Sequence, residues 1–471
     1  MENCRKNDRK NKFRLTAVLS AAALFTIGAS MMCWAKGWTT EDGEWVYLDS
    51  DGERVTEEWK KSGEHYYYLD EDGFMATSRL IEDDDNFYYV NEYGSRVTNQ
   101  WVSVENEDGD EVNGTEVDTL WYYFDSNGKA YKASDSEYKT KTIDGQTYIF
   151  DQDGHMVSGW VEIGDDTYYL GTENEGWAKT GWQYLEPDED LTGDEYDDFE
   201  WFYFKSTGKM RYSCTAYIDG KYYRFNEDGV MEDEWYSVST STESAGISAY
   251  ASANGTVTNG WVYTTEPGDD SSDLDWYYLV NGTDEDGNTV KGVPFNYESG
   301  AGLQAKVIKS KTYIFDEDGK MQDGIVELEE DLEAVVSGAK ALDAGIYYFD
   351  DSDGSTNGQM QTGKVTVEDD GEYYYYYFMS TGKACTNTVK NGSLYGENGQ
   401  RIQAEDGNSN MIYVTKDDIA VDGSTRVIPA GTSIIISSSG KVRTSGSVKI
   451  DGETWKVVDT STYEAELQAD D

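Results

Sequence analysis

One short phrase recurs along most of this chain, and that self-similarity limits the possible folds more than any other feature. It begins as Gly37-Trp38, Gly43, then Trp45-Val46-Tyr47-Leu48-Asp49 and Gly52. It returns as Trp59, Gly63, then Tyr66-Tyr67-Tyr68-Leu69-Asp70 and Gly73. Variants stand at 87–94, 121–128, 147–154, 167–171, 201–208, 222–229, 276–282, 312–319, 346–354 and 375–382. The shortest period is about 20 residues. The aromatic run is β-prone, and Asp-x-x-Gly supplies a tight turn, so each unit reads as a β-hairpin. A hairpin this short cannot bury its aromatic face alone, and stacking its neighbours is the available solution. The expected fold is all-β, an elongated β-hairpin solenoid of about 20-residue repeats.

Composition supports this reading. The 471 residues include 38 Tyr, 14 Trp, 14 Phe and 48 Gly but only 4 Pro, so the core must be built largely from rings. Such aromatic richness excludes an acidic disordered chain. Ninety-two acidic against 38 basic side chains give a formal charge of −54, which excludes nucleic acid as a partner. Four units are stretched, by the segments 102–120, 183–200, 262–275 and 326–345. The first three are acidic, as in Asp188-Glu189-Asp190 and Asp269-Asp270, and follow Trp101, Trp182 and Trp261. These tryptophans lie 81 and 79 residues apart, so a longer period overlays the short one. The fourth runs through Leu328 to Leu342 with good helix formers, and a short surface helix is expected there.

Residues 1–35 read as a signal peptide. Arg5, Lys6, Arg9, Lys10, Lys12 and Arg14 precede an apolar stretch from Leu15 to Met32, and Cys33-Trp34-Ala35 places small residues for cleavage before Lys36. An uncleaved anchor is the alternative. Cleavage removes six basic and two acidic residues and takes the charge to −58. It leaves Cys214 and Cys385, too far apart to suggest a disulfide framework. No second apolar run exists, so no membrane span is expected after cleavage. Residues 36–402 form the repeat region. Residues 403–471 read as degenerate repeats or a small β cap: Ile450-Asp451-Gly452 resembles Ile143-Asp144-Gly145, and Ile434 to Val442 resembles a worn strand and turn.

The phrase Gly-Trp, then Trp-Tyr-Tyr-Leu/Phe-Asp, then Gly resembles the cell-wall-binding repeats of Gram-positive bacteria, among them choline-binding and glucan-binding modules. The resemblance spans roughly residues 37–402. It implies a superhelical rod, secretion to the cell wall or outer surface, and a ligand that is cell-wall polysaccharide, choline-decorated teichoic acid or glucan. In choline-binding members, a cage is made by the Gly-Trp tryptophan, the first aromatic of the run and an aromatic of the next hairpin. On that pattern the ligand-binding residues are Trp38 with Trp45, Trp59 with Tyr66, Trp101 with Trp121, Trp182 with Trp201, and Trp261 with Trp276. Elsewhere the pattern fails: Trp160 meets Thr167, Leu80 precedes Phe87, Ile325 meets Ile346, and Thr147 and Thr312 replace the aromatic. Rings suit either ligand, since their faces attract quaternary ammonium groups and sugar C–H faces lie on them. The competing reading of any one ring is core packing.

Other chemistry is set aside. His65 and His155 are the only histidines, and they support neither a nucleophilic triad nor a metal site. The stretches Asp70-Glu71-Asp72-Gly73, Asp151-Gln152-Asp153-Gly154 and Asp316-Glu317-Asp318-Gly319 resemble the start of a calcium loop, but the later ligands are missing and a turn explains them better. No cofactor is expected and no catalytic segment is left. The expectation is a non-catalytic surface protein that binds wall polymer or glucan. The alternative is an adhesin or structural rod that holds a host or surface protein partner.

Overall fold

The computed structural model describes residues 36–469 other than 135, 189–195, 197–198, 239–246, 269–272, 284–286, 298–299, 353, 355–356, 370 and 406. The expected signal segment and the acidic residues Glu189, Asp190, Asp269 and Asp270 lie outside the described residues. All regular structure among the described residues is β. The chain divides into two units, one running to residue 213 and including 227–230, the other holding 214–226 and 231–471.

The first unit is a succession of two-stranded antiparallel hairpins. Gly37–Glu41 pairs with Glu44–Leu48, Glu58–Ser62 with His65–Leu69, and Arg79–Asp83 with Asn86–Val90. Gln100–Glu105 then pairs with Thr119–Phe124, Lys139–Ile143 with Gln146–Phe150, Trp160–Ile163 with Asp166–Tyr169, and Gly181–Leu185 with Glu200–Phe204. The register repeats. The Gly-Trp tryptophan faces the third residue of the aromatic run, as in Trp38↔Tyr47, Trp59↔Tyr68, Trp101↔Tyr123 and Trp182↔Tyr203. Insertions 102–120 and 183–200 therefore enter at the hairpin end and leave this pairing intact.

Two kinds of turn alternate. Each hairpin closes just before its aromatic run, as at Asp144–Gly145, where φ is 51° and 85°. Positive φ at both positions is the type I′ geometry that matches strand twist. The Asp-x-x-Gly turn comes after the aromatic strand instead of closing the hairpin, which corrects the sequence reading. Asp125 Oδ1 accepts the N–H of Asn127 at 2.7 Å and of Lys129 at 3.0 Å, and the Gly128 N–H donates to the Asp125 carbonyl at 3.0 Å. The chain is thereby turned back so that Ala130 bridges Phe124. Asp49, Asp70, Asp151 and Asp316 accept the same pair of bonds.

The second unit departs from plain hairpins. Cys214–Ile218, Lys221–Phe225, Thr256–Val257, Ile247–Ala251 and Glu234–Val238 form one five-stranded sheet in that order. The expected helix at Leu328 to Leu342 is absent. Gly324–Leu328 is a strand paired with Gly345–Phe349, Leu332 and Leu342 exchange backbone hydrogen bonds at 2.8 and 3.0 Å, and Ala339–Lys340 joins a sheet. Burying Leu328 and Leu342 against Tyr347 and Phe349 outweighs local helix propensity. In the tail, Ser447–Ile450 and Glu453–Val457 form a hairpin closed by Asp451–Gly452, and Ile436 bridges Val442.

Rings dominate the repeat cores. Phe124, Phe150 and Phe204 in the first unit, and Phe225, Phe315, Phe349 and Phe378 in the second, close their aromatic runs and are wholly buried. The tail differs: its Ile428, Ile434 and Ile436 are buried with Leu394 in an aliphatic cluster.

Candidate functional site

A cage is assembled from three consecutive stretches of the repeat. The clearest one surrounds Trp160. Its ring packs on Tyr169 of its own hairpin at 5.0 Å and on Phe202 of the next at 4.9 Å. The fourth wall comes from the residue two places after the next turn glycine: the Met210 N–H donates to the Thr167 carbonyl at 2.8 Å, which lays the thioether beside the rings. Phe202 and Met210 are buried. The result is a cavity of about 250 Å³, lined by Trp160, Thr167, Phe202, Met210 and Tyr212 and by the carboxylates of Glu162, Asp165, Asp188, Glu227 and Asp228.

Hydrogen bonds hold this lining in place. Trp160 Nε1 donates to the Glu186 carbonyl at 3.1 Å, the Tyr212 hydroxyl to the Asp165 carbonyl at 3.2 Å, and the Tyr196 hydroxyl to Asp228 at 3.0 Å. Nearby lysines are engaged with other acids. Lys209 pairs with Asp166, whose hydrogen bond holds its ammonium above the ordinary range, and Lys179 pairs with Glu175 at 3.1 Å. Ring faces beneath a rim of carboxylates suit a cation that carries apolar surface. The cavity is smaller than a drug-sized pocket and suits a small group.

The ten residues singled out by sequence take several environments. Trp38 contacts Tyr47 and, on the next hairpin, Tyr67, both at 5.4 Å. Trp45 lies diagonally across the hairpin from it, and its carbonyl accepts the Met75 N–H at 2.8 Å. Trp59 packs on Tyr68 and Tyr88 at 5.1 and 5.2 Å, while Tyr66 lies 4.3 Å from the Arg96 guanidinium. Trp101 is packed on three sides, by Tyr123, Tyr148 and Phe150, and the Trp121 carbonyl accepts the Met156 N–H at 2.8 Å.

In two of the five pairs the tryptophan rings themselves are in edge contact. Trp182 meets Trp201 at 6.2 Å, and Trp261 meets Trp276 at 6.1 Å. The outer rings are exposed, 43% for Trp201 and 39% for Trp276, and each lies against an exposed tyrosine, Tyr184 or Tyr263. Trp261 also contacts Tyr313 at 4.8 Å. Beside this hairpin Lys320 reaches Glu266 at 2.7 Å and Asp275 at 3.3 Å, and the hydrogen bond to Glu266 raises its pKa above the usual lysine value.

Sequence reasoning passed over Trp160, Phe202, Met210 and Tyr212. Thr167 at the first position of the run suggested an incomplete cage, yet Phe202 and Met210 complete the wall. The available signal is the Gly-x-Met spacing after several of the turns, as in Gly73 to Met75, Gly154 to Met156 and Gly208 to Met210.

His155 is buried, with Nε2 2.9 Å from the Tyr122 hydroxyl and Nδ1 3.2 Å from Asp151. Burial pushes the Tyr122 phenol up, so it stays neutral. Asp153 brings a third ligand atom into this cluster, but Asp151 is already the turn acceptor.

Comparison with known proteins places these repeats. Residues 35–79 and 139–182 match the choline-binding repeat family, and residues 117–130, 197–210 and 216–231 match the cell wall binding repeat family. None of the curated proteins compared with the chain matches it. Among solved structures, the modular autolysin LytC from Streptococcus pneumoniae, in complex with a synthetic peptidoglycan ligand, is 14% identical, covering 81% of this chain and 55% of LytC at a TM-score of 0.34. The chain thus spans about half of LytC's length. Choline binding protein F from the same organism is 17% identical over 78% of this chain and 98% of its own, with a TM-score of 0.27. The choline-binding domain of CbpL, also from Streptococcus pneumoniae, is 30% identical over 42% of this chain and 98% of its own, with a TM-score of 0.17.

Proposed function

We propose that this chain, segments of which match choline-binding and cell wall binding repeat families, is a secreted, non-catalytic protein that attaches to the Gram-positive cell wall by capturing choline groups of wall polymer. The observation that carries this reading is the cavity at Trp160. Aromatic and thioether walls suit three methyl groups, and each ring face contributes roughly 0.5–2 kcal/mol toward a cation. The five acidic residues of the lining attract a fixed positive charge, whereas a neutral sugar gains only hydrogen bonds from its hydroxyls to them. Four of the five sequence-derived pairs, Trp38/Trp45, Trp101/Trp121, Trp182/Trp201 and Trp261/Trp276, are the further proposed sites, spread over the repeat region 36–402 so that weak sites act together; at the fifth, Trp59/Tyr66, the Arg96 guanidinium already lies 4.3 Å from the Tyr66 ring. A second reading has one observation in its favour: the exposed ladder of Phe199, Tyr184 and Trp201 suits the stacking of sugar rings, as in a glucan.

Calorimetric titration separates the two. Choline should bind, whereas its neutral isostere, with a tert-butyl group in place of trimethylammonium, should bind at least about tenfold more weakly, because cation–ring attraction is lost. Replacing Trp160 by Ala should remove one class of sites. Equal affinity for the two ligands, or an unchanged titration in the W160A variant, would count against the proposal.

A further inference from the structure

In many of the described repeats the residue two places after the turn glycine takes the same structural position, because it bridges the end of the preceding aromatic run. The bridges Leu69↔Met75, Val90↔Arg96, Phe150↔Met156 and Phe204↔Met210 show it. Met210 forms a wall of the open cavity at Trp160. Arg96 occupies the same place beside Trp59, and the two sites correspond group by group. The Arg96 N–H donates to the Tyr66 carbonyl at 2.8 Å as that of Met210 does to Thr167. Trp59 packs on Tyr88 of the next hairpin at 5.2 Å as Trp160 packs on Phe202.

The guanidinium of Arg96 lies among the rings. Its central carbon is 4.3 Å from the Tyr66 ring, 5.2 Å from Trp59 and 5.4 Å from Tyr88. Nε is buried and has no hydrogen-bond partner among the described residues, so ring faces rather than an oxygen surround that donor. The side chain is also held from above. A Cβ at Gly128 would lie 2.8 Å from Arg96 Nε, just as one at Gly229 would press on Met210.

We propose that Arg96 is a resident cation of the Trp59/Tyr66/Tyr88 cage. It occupies the place a quaternary ammonium ligand would take, so this repeat is closed while the Trp160 repeat is open. The residue at this one position thereby sets how many ligands the chain carries. The inference rests on the reading that such cages accept quaternary ammonium groups.

Equilibrium dialysis of the full chain against tetramethylammonium tests it. Arg96→Met should bind one more equivalent than the wild type, and adding Trp59→Ala should remove the gain. The reciprocal change, Met210→Arg, should lose one equivalent, and it decides the matter if R96M does not fold. Unchanged stoichiometry in folded R96M, or full stoichiometry in M210R, would overturn the inference. The wild-type value reports on the function itself. A wild type that binds nothing while R96M binds one equivalent would sink the reading of the Trp160 cage and leave the assignment of Arg96 standing. No binding by either would sink both.

Discussion

At the scale of single residues, tryptophans in equivalent sequence contexts do different work, and burial separates them. Trp101 is surrounded by Tyr123, Tyr148 and Phe150, so truncation leaves a cavity among packed rings. Replacing Trp101 by Ala should cost about 3–5 kcal/mol of stability. Trp201 is 43% exposed, and W201A should cost less than about 1 kcal/mol. Denaturant melts of the two variants check this; similar losses would contradict the contrast in packing. The sequence shows both as members of a repeated pair and cannot rank them. Two of the three rings that enclose Trp101, Tyr148 and Phe150, come from the next hairpin, beyond any local pattern. Trp160 shows the converse. Thr167 in its own hairpin leaves it incomplete, and the missing walls, Phe202 and Met210, arrive across the 183–200 insertion.

At the scale of elements, the aromatic runs and the Asp-Gly turns were legible because each has a local physical cause. Alternating β-prone rings form the strand, and Asp-Gly tolerates the left-handed turn. The role of each turn was less legible, since Asp-Gly and Asp-x-x-Gly both mark reversals and only pairing shows which one closes the hairpin. The segment from Leu328 to Leu342 misled because helix propensity is a weak prior that buried leucines override. The two turn types should also respond differently to substitution. Gly145 has a φ of 85° and open space around a would-be Cβ, so G145A should cost only the conformational strain, about 1–2 kcal/mol. A Cβ at Gly128 would lie 2.8 Å from the Val97 carbonyl oxygen as well as against Arg96, so G128A should cost more, about 3 kcal/mol or above. Equal melting shifts would show that the repeats do not pack on each other as tightly as this contact requires.

At the scale of the whole molecule, charge and repetition decide what kind of surface the chain can hold. A net charge of −54 repels bare phosphate polymers and attracts polymers that carry fixed positive groups. Several weak cages on one chain bind a repetitive polymer far better than one cage binds a free ligand. Charge and avidity are both read by retention of the purified protein on isolated cell walls with choline-bearing teichoic acid, challenged in parallel with free choline and with soluble glucan. The account predicts release by choline at concentrations that saturate single cages, no release by glucan, and weaker retention as salt screens the acidic field. Release by glucan, or retention unmoved by choline, would contradict it.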